Sequence, residues 1–165
     1  MRIGRVGTRA GNDVGIERSE SAALRWALDR LLLRCARDGV TVLGAPGAEG
    51  AWWPGCRAIV LNTTSSLRVL VHSLLHELGH RSVDGSRRDR WRNDGQEGAV
   101  SADDVLSVLD EEIEAWERGW DIAVGMHLDL DPAGYARTRR RALVGYVRWA
   151  HSALEKKSRR RPERG

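Results

Sequence analysis

The chain contains no phenylalanine, two tyrosines, two cysteines and, among 27 basic residues, only two lysines, Lys156 and Lys157. Cys35 and Cys56 stand far apart and form no CxxC pair. That excludes a disulfide framework and a cysteine zinc site, and both read as small apolar residues. No apolar run approaches the roughly 18 residues that a membrane-spanning helix needs. The opening stretch, MRIGRVGTRAGNDVG, is basic but lacks the apolar core of a signal peptide. No internal repeat is visible. These absences set the expectation of a cytoplasmic protein with no membrane partner.

What is present fits one folded domain. The 165 residues are 41% apolar and 30% charged, the profile of a globular protein with a single core. Net charge is +4, and the excess is concentrated in the closing KKSRRRPERG. The expected organisation is a basic irregular arm over 1–18, one domain over 19–150 and a basic tail over 151–165.

Within the domain, SESAALRWALDRLLLRCARDG reads as a helix with an apolar stripe of Leu24, Leu28, Leu31, Leu32 and Cys35, stopped by Gly39. VTVLG (40–44) and RAIVLN (57–62) read as strands, with a turn-rich loop, GAPGAEGAWWPG, between them. TTSS offers a cap to a helix over about 66–80. A polar, Gly-rich connection over 81–102 is long for a compact domain and marks a functional loop or a disordered segment. Ser101 and Asp104 open the next helix, which runs to about His127. Pro132 suits the first position of a last helix. The order predicts an α+β fold: a short sheet packed on helices.

The sharpest local signal is His76-Glu77-Leu78-Gly79-His80. On a helix, residues four apart stand one above the other, so two imidazoles at this spacing can reach one Zn²⁺. Glu77 lies about 100° round the helix, away from the ligand row but within reach of a water beside it, where a general base belongs. Leu67, Val69, Leu70, Val71, Leu74, Leu75 and Leu78 make the helix apolar on most sides, hence buried. Buried histidines and a buried glutamate require partners, and a metal supplies one. His72 continues the row but stands about 12 Å along the axis from His80, too far to share an ion. It reads as a hydrogen-bonded bystander. Gly79 lets another segment approach closely.

A catalytic zinc needs a third protein ligand. In the following helix Val105, Val108, Leu109, Glu112, Trp116, Gly119 and Ala123 are linked by spacings of three and four along one face, and only Glu112 is charged. A lone carboxylate on an apolar seam is costly unless paired or ligating, which favours Glu112. A buried salt bridge is the other reading of that position, and Glu111 and Glu114 are the alternative ligands.

AIVLN, HELGH and the downstream Glu112-Ile113-Glu114-Ala115 together resemble the ImmA/IrrE family of zinc metallopeptidases over roughly residues 57–125. The resemblance implies a small zincin-like domain with HExxH on its central helix, zinc on His76, His80 and Glu112, and Glu77 as the catalytic base. It also implies limited proteolysis of a protein partner, such as a DNA-binding repressor encoded nearby in a phage or mobile element. The arginine-for-lysine skew, with many Ala and Gly, suits a GC-rich bacterial genome or its phage. The sequence departs from the family where Trp116 replaces a frequent Asn and DIAVGMHL replaces a Leu-Leu-Met-Pro segment.

Tyr135, Tyr146, His127 and His151 are candidates to stabilise an oxyanion, and Asp84 is a candidate to orient a ligand imidazole. Two rival readings compete with the peptidase. One is a non-catalytic, zinc-stabilised binding module for a protein or nucleic acid, using the tail or Arg87, Arg88, Arg90 and Arg92 around Trp91. The other is a SprT-like metalloprotease, but that pattern wants a later HxxH, and His127 and His151 stand alone.

Overall fold

A computed structural model describes residues 13–83 and 101–159. It is α+β, with four helices and a three-stranded mixed sheet among the described residues. Helix α1 spans Asp13–Arg37, and strands β1, β2 and β3 span Thr41–Ala45, Ala51–Trp53 and Ala58–Asn62. Helix α2 spans Leu67–Ser82, α3 spans Ala102–Gly125 and α4 spans Pro132–Arg159. The sheet order is β1-β3-β2, with β1 parallel and β2 antiparallel to β3.

Three sequence expectations need correction. Residues 13–18 are not part of an irregular arm but the first turns of α1. Ala51–Trp53 is a strand rather than loop, because Ala51 and Trp53 find Val60 and Ala58 across β3. A three-residue strand flanked by Gly50 and Pro54 has too little pattern of its own to declare itself, and β3 supplies the order. The tail expected from 151 is still helix to Arg159. The arm over 1–12, Asp84, the Arg87–Trp91–Arg92 cluster and residues 160–165 lie outside the described residues.

The local signals explain the remaining boundaries. Gly39, at φ 66°, turns the chain from α1 into β1. Asn62 ends β3 by accepting hydrogen bonds from the Gly47 and Thr64 amides at 2.9 and 3.0 Å. Ser66 caps α2 by accepting from Val69 N. Ser101 and Asp104 form a reciprocal capping box on α3. Asp131 caps α4 through the amides of Ala133 and Gly134, with Pro132 in the first turn.

Helix α2 is the hub, in contact with α1, α3, α4, β2 and β3. Leu31 from α1, Ile59 from β3 and Leu74, Leu75 and Leu78 from α2 are fully buried in the core. Each contributes about 2 kcal/mol of transfer free energy. The α1 stripe is narrower than its sequence suggests, since Leu32 is exposed and Ala27 takes its place.

Helices α2 and α3 run antiparallel and approach almost backbone to backbone. A Cβ on Gly79 would stand 1.9 Å from the Ala115 carbonyl oxygen, and one on Gly119 would stand 2.7 Å from that of Leu75. The two glycines thus face the partner helix reciprocally, one turn apart. This crossing brings the middle of α3 onto the histidine pair of α2.

Candidate metal centre

Every charged or polar side chain that is buried among the described residues lies on α2 or α3: His72, His76, Glu77, His80 and Glu112. Helical spacing puts His76 and His80 on one face of α2, and the glycine crossing presents Glu112 to that face. His76 Nε2 and His80 Nε2 are 3.1 Å apart, and Glu112 Oε2 stands 3.2 Å from the first and 3.4 Å from the second. Three donors held at about 2.0–2.1 Å by one tetrahedral Zn²⁺ stand about 3.3 Å from each other. The triangle therefore has the dimensions of one face of such a site, and the donor types, two imidazoles and a carboxylate, suit it. Among the described residues no other group of His, Cys, Asp or Glu is spaced to hold a metal ion. Burial opposes ionisation of Glu112, but hydrogen bonds to His76 and His80 outweigh it and hold the carboxyl well below the usual carboxylate range.

Glu77 stands beside the triangle without joining it. It is 3% exposed, and its Oε2 has no hydrogen-bond partner among the described residues. Such an atom costs free energy unless water or a ligand meets it. Gly50, at the entrance to β2, passes so close that a Cβ there would stand 3.2 Å from Glu77 Oε1. The strand that the sequence concealed thus begins at the carboxylate.

The other carboxylates separate cleanly. Glu111 Oε1 lies 3.3 Å from Nδ1 of His80, the nitrogen that faces away from the triangle. A carboxylate at that distance favours the tautomer with its hydrogen on Nδ1, the role for which the sequence offered Asp84. Glu114 is on the exposed side, paired with Arg118 at 3.3 Å. Among the described residues His76 has no such carboxylate; its ring stacks on Trp116, with centroids 4.4 Å apart and planes 23° apart. Neither Glu111 nor Trp116 was legible in these roles, because helix periodicity chooses a face but not the ring nitrogen or ring face that a neighbour meets.

Of the four oxyanion candidates, Tyr135 is buried with its hydroxyl donating to the Trp116 carbonyl at 2.8 Å. Burial pushes its phenol far above the ordinary range. His127 is exposed just beyond the end of α3, and His151 is exposed 3.9 Å from Glu155. Tyr146 is half-buried on α4. His72 matches its bystander reading: Nδ1 hydrogen-bonds Thr138 Oγ1 at 2.8 Å, and the Tyr135 ring meets its face edge-on.

The chain matches no family model, no curated protein and no solved structure. No described helix is long and apolar enough to cross a membrane.

Proposed function

We propose that this chain is a zinc-dependent metallo-endopeptidase of zincin-like architecture, with His76, His80 and Glu112 holding the ion and Glu77 as general base. The observation that carries the reading is the pairing of two features: a three-donor triangle of zinc dimensions and, next to it, a buried carboxylate oxygen with no partner. A purely structural zinc site closes its fourth position and has no use for such a carboxylate.

When bound, zinc supplies Lewis acidity, polarising a carbonyl and making water a nucleophile at neutral pH. Glu77 Oε2 takes the proton of the attacking water and returns it to the leaving amine nitrogen. Glu112 and the two imidazoles hold their donor atoms on one side, leaving the Glu77 side for the reacting groups. Glu111 keeps the His80 ring in the tautomer whose Nε2 lone pair faces the triangle.

The resemblance of AIVLN, HELGH and Glu112-Ile113-Glu114-Ala115 to the ImmA/IrrE family supports a cytoplasmic regulatory peptidase. Its substrate would be a protein partner, such as a DNA-binding repressor of a phage or mobile element. One feature favours the binding-module reading instead: Arg140, Arg141 and Arg148 lie exposed on α4 and enter none of the ion pairs found among the described residues.

Metal analysis and a cleavage assay against the product of the adjacent gene test the proposal. The wild-type chain is expected to bind one zinc and cut its partner. Glu77→Gln should keep the zinc and lose about 10²–10⁴-fold in rate. Glu112→Ala should lose both. Zinc content unchanged in Glu112→Ala would remove the third ligand, and cleavage unaffected by Glu77→Gln would remove the base.

A further inference from the structure

We infer that Trp116 is the positioning residue for His76, so that the two histidines of the pair are held in place by different chemistry. The inference rests on the proposal that the His76–His80–Glu112 group holds a metal ion.

The two imidazoles have unlike surroundings. His80 has a carboxylate at its edge, with Glu111 Oε1 3.3 Å from Nδ1, within ion-pair distance. His76 Nδ1 is buried and has no hydrogen-bond partner among the described residues. The polar contacts of that ring are thus all at its Nε2 edge, and among the described residues nothing at the Nδ1 edge helps to fix its rotation about the Cβ–Cγ bond, a torsion that is intrinsically broad for histidine. What it has instead is a face. The Trp116 indole lies nearly parallel to it at 4.4 Å, and a turn of the imidazole out of that plane would drive its edge into the indole.

The indole is itself immobilised. Trp116 is 3% exposed, the Tyr135 ring meets it at 68° and 5.3 Å, and the Tyr135 hydroxyl donates to its carbonyl. A relay of contacts thus runs from α4 through α3 to one metal-facing nitrogen on α2.

The stack also has an electrostatic direction. An imidazole bound to a cation carries partial positive charge, and the face of an indole is the negative end of its quadrupole. The contact therefore strengthens when the ion binds. Glu111 acts on His80 in the same sense, through charge at the ring edge. Helix α3 supplies one ligand and both supports from neighbouring turns: Glu111, Glu112 and Trp116.

The experiment is a titration of the metal-free chain with Co²⁺, read by visible absorption, and with Zn²⁺ against a chromophoric chelator. Far-UV circular dichroism and thermal melts of the metal-free proteins accompany it. Trp116→Phe keeps a ring face and should hold Zn²⁺ within about threefold of wild type, with the same Co²⁺ bands. Trp116→Met keeps an apolar, flexible side chain but no ring face. It should bind about 10–100-fold more weakly, with shifted Co²⁺ bands even at saturating metal. A Trp116→Met chain that folds and keeps wild-type affinity and Co²⁺ bands overturns the inference and leaves the metal site standing. A wild-type chain that takes up neither ion overturns both. Should Trp116→Met not fold, the zinc-loaded wild type decides by proton NMR. His76 ring protons moved upfield by the indole support the inference, and ordinary histidine shifts overturn it.

Discussion

Helices α3 and α4 are close in length and opposite in charge. Over Ala102–Gly125, α3 carries eight acidic residues against one arginine; over Pro132–Arg159, α4 carries eight basic residues against one glutamate. They pack side by side, yet Arg139–Glu117 at 2.9 Å is the one ion pair between them among the described residues. The difference lies in what each helix buries. Helix α3 buries Glu112, Ala115, Trp116, Gly119 and Ala123 along one face, so its middle is fixed against α2 and the metal triangle. Helix α4 buries Tyr135 and Ala150 and turns Arg140, Arg141 and Arg148 outward. One carboxylate placed on an apolar seam can define a site; cations on a solvated face need not.

The comparison breaks most directly at the helix crossing. Gly79→Ala places a methyl 1.9 Å from the Ala115 carbonyl, backbone that no rotamer change can move. The helices must separate, which costs packing and pulls Glu112 away from the histidines. A stability loss of about 3 kcal/mol or more is expected, with loss of metal binding. Chemical denaturation of the metal-free variant measures it. A variant with an unchanged midpoint and intact zinc would show that α3 is not fixed in the way described.

That crossing also shows where sequence reasoning succeeds and where it stops. The pair His76/His80 and the seam residue Glu112 are legible because both follow from helix periodicity, a property of the chain alone. The capping residues Ser66, Ser101 and Asp104 are legible for the same reason, since each acts within a turn of itself. Strand β2 is not, because its order comes from β3, and neither are the first turns of α1, which precede the SESAAL stretch where the apolar stripe begins. The supports from Glu111 and Trp116 depend on the rotation of α3 about its axis, which only the close approach of Gly79 and Gly119 determines.

At one point α4 does reach the centre of the fold. His72 is 2% exposed, bonded to Thr138 of α4, and its pKa is pushed down to about 4, first by burial and then by the Arg68 charge. Asp131 and Glu20 oppose that shift without cancelling it. The unfolded chain takes up a proton near pH 6.5, while the folded chain refuses it until about 4. Stability therefore falls as pH drops through that window, by at most about 3 kcal/mol, and levels off below it. Denaturation midpoints of metal-free wild type and His72→Gln at pH 7, 5.5 and 4 test this through their difference. A wild-type curve that parallels the variant's across the window would mean that His72 is not held neutral.

The smallest effect is expected where charge is greatest. Replacing Arg140, Arg141 and Arg148 together by Gln removes three cations from α4. The side chains are exposed, and ions screen such charges over roughly 8 Å at physiological salt. None of the three forms an ion pair with α3 among the described residues, so neither the crossing nor the triangle should respond. Stability is expected to change by no more than about 0.5 kcal/mol, and zinc affinity by less than about twofold at 0.15 M salt. Measured again at low salt, affinity for the dication should rise slightly, because repulsion from a basic helix is then less screened and the variant lacks it. A severalfold change at physiological salt would mean that the basic helix acts on the site through more than its field. The division between a helix that builds the centre and one that only borders it would then be wrong.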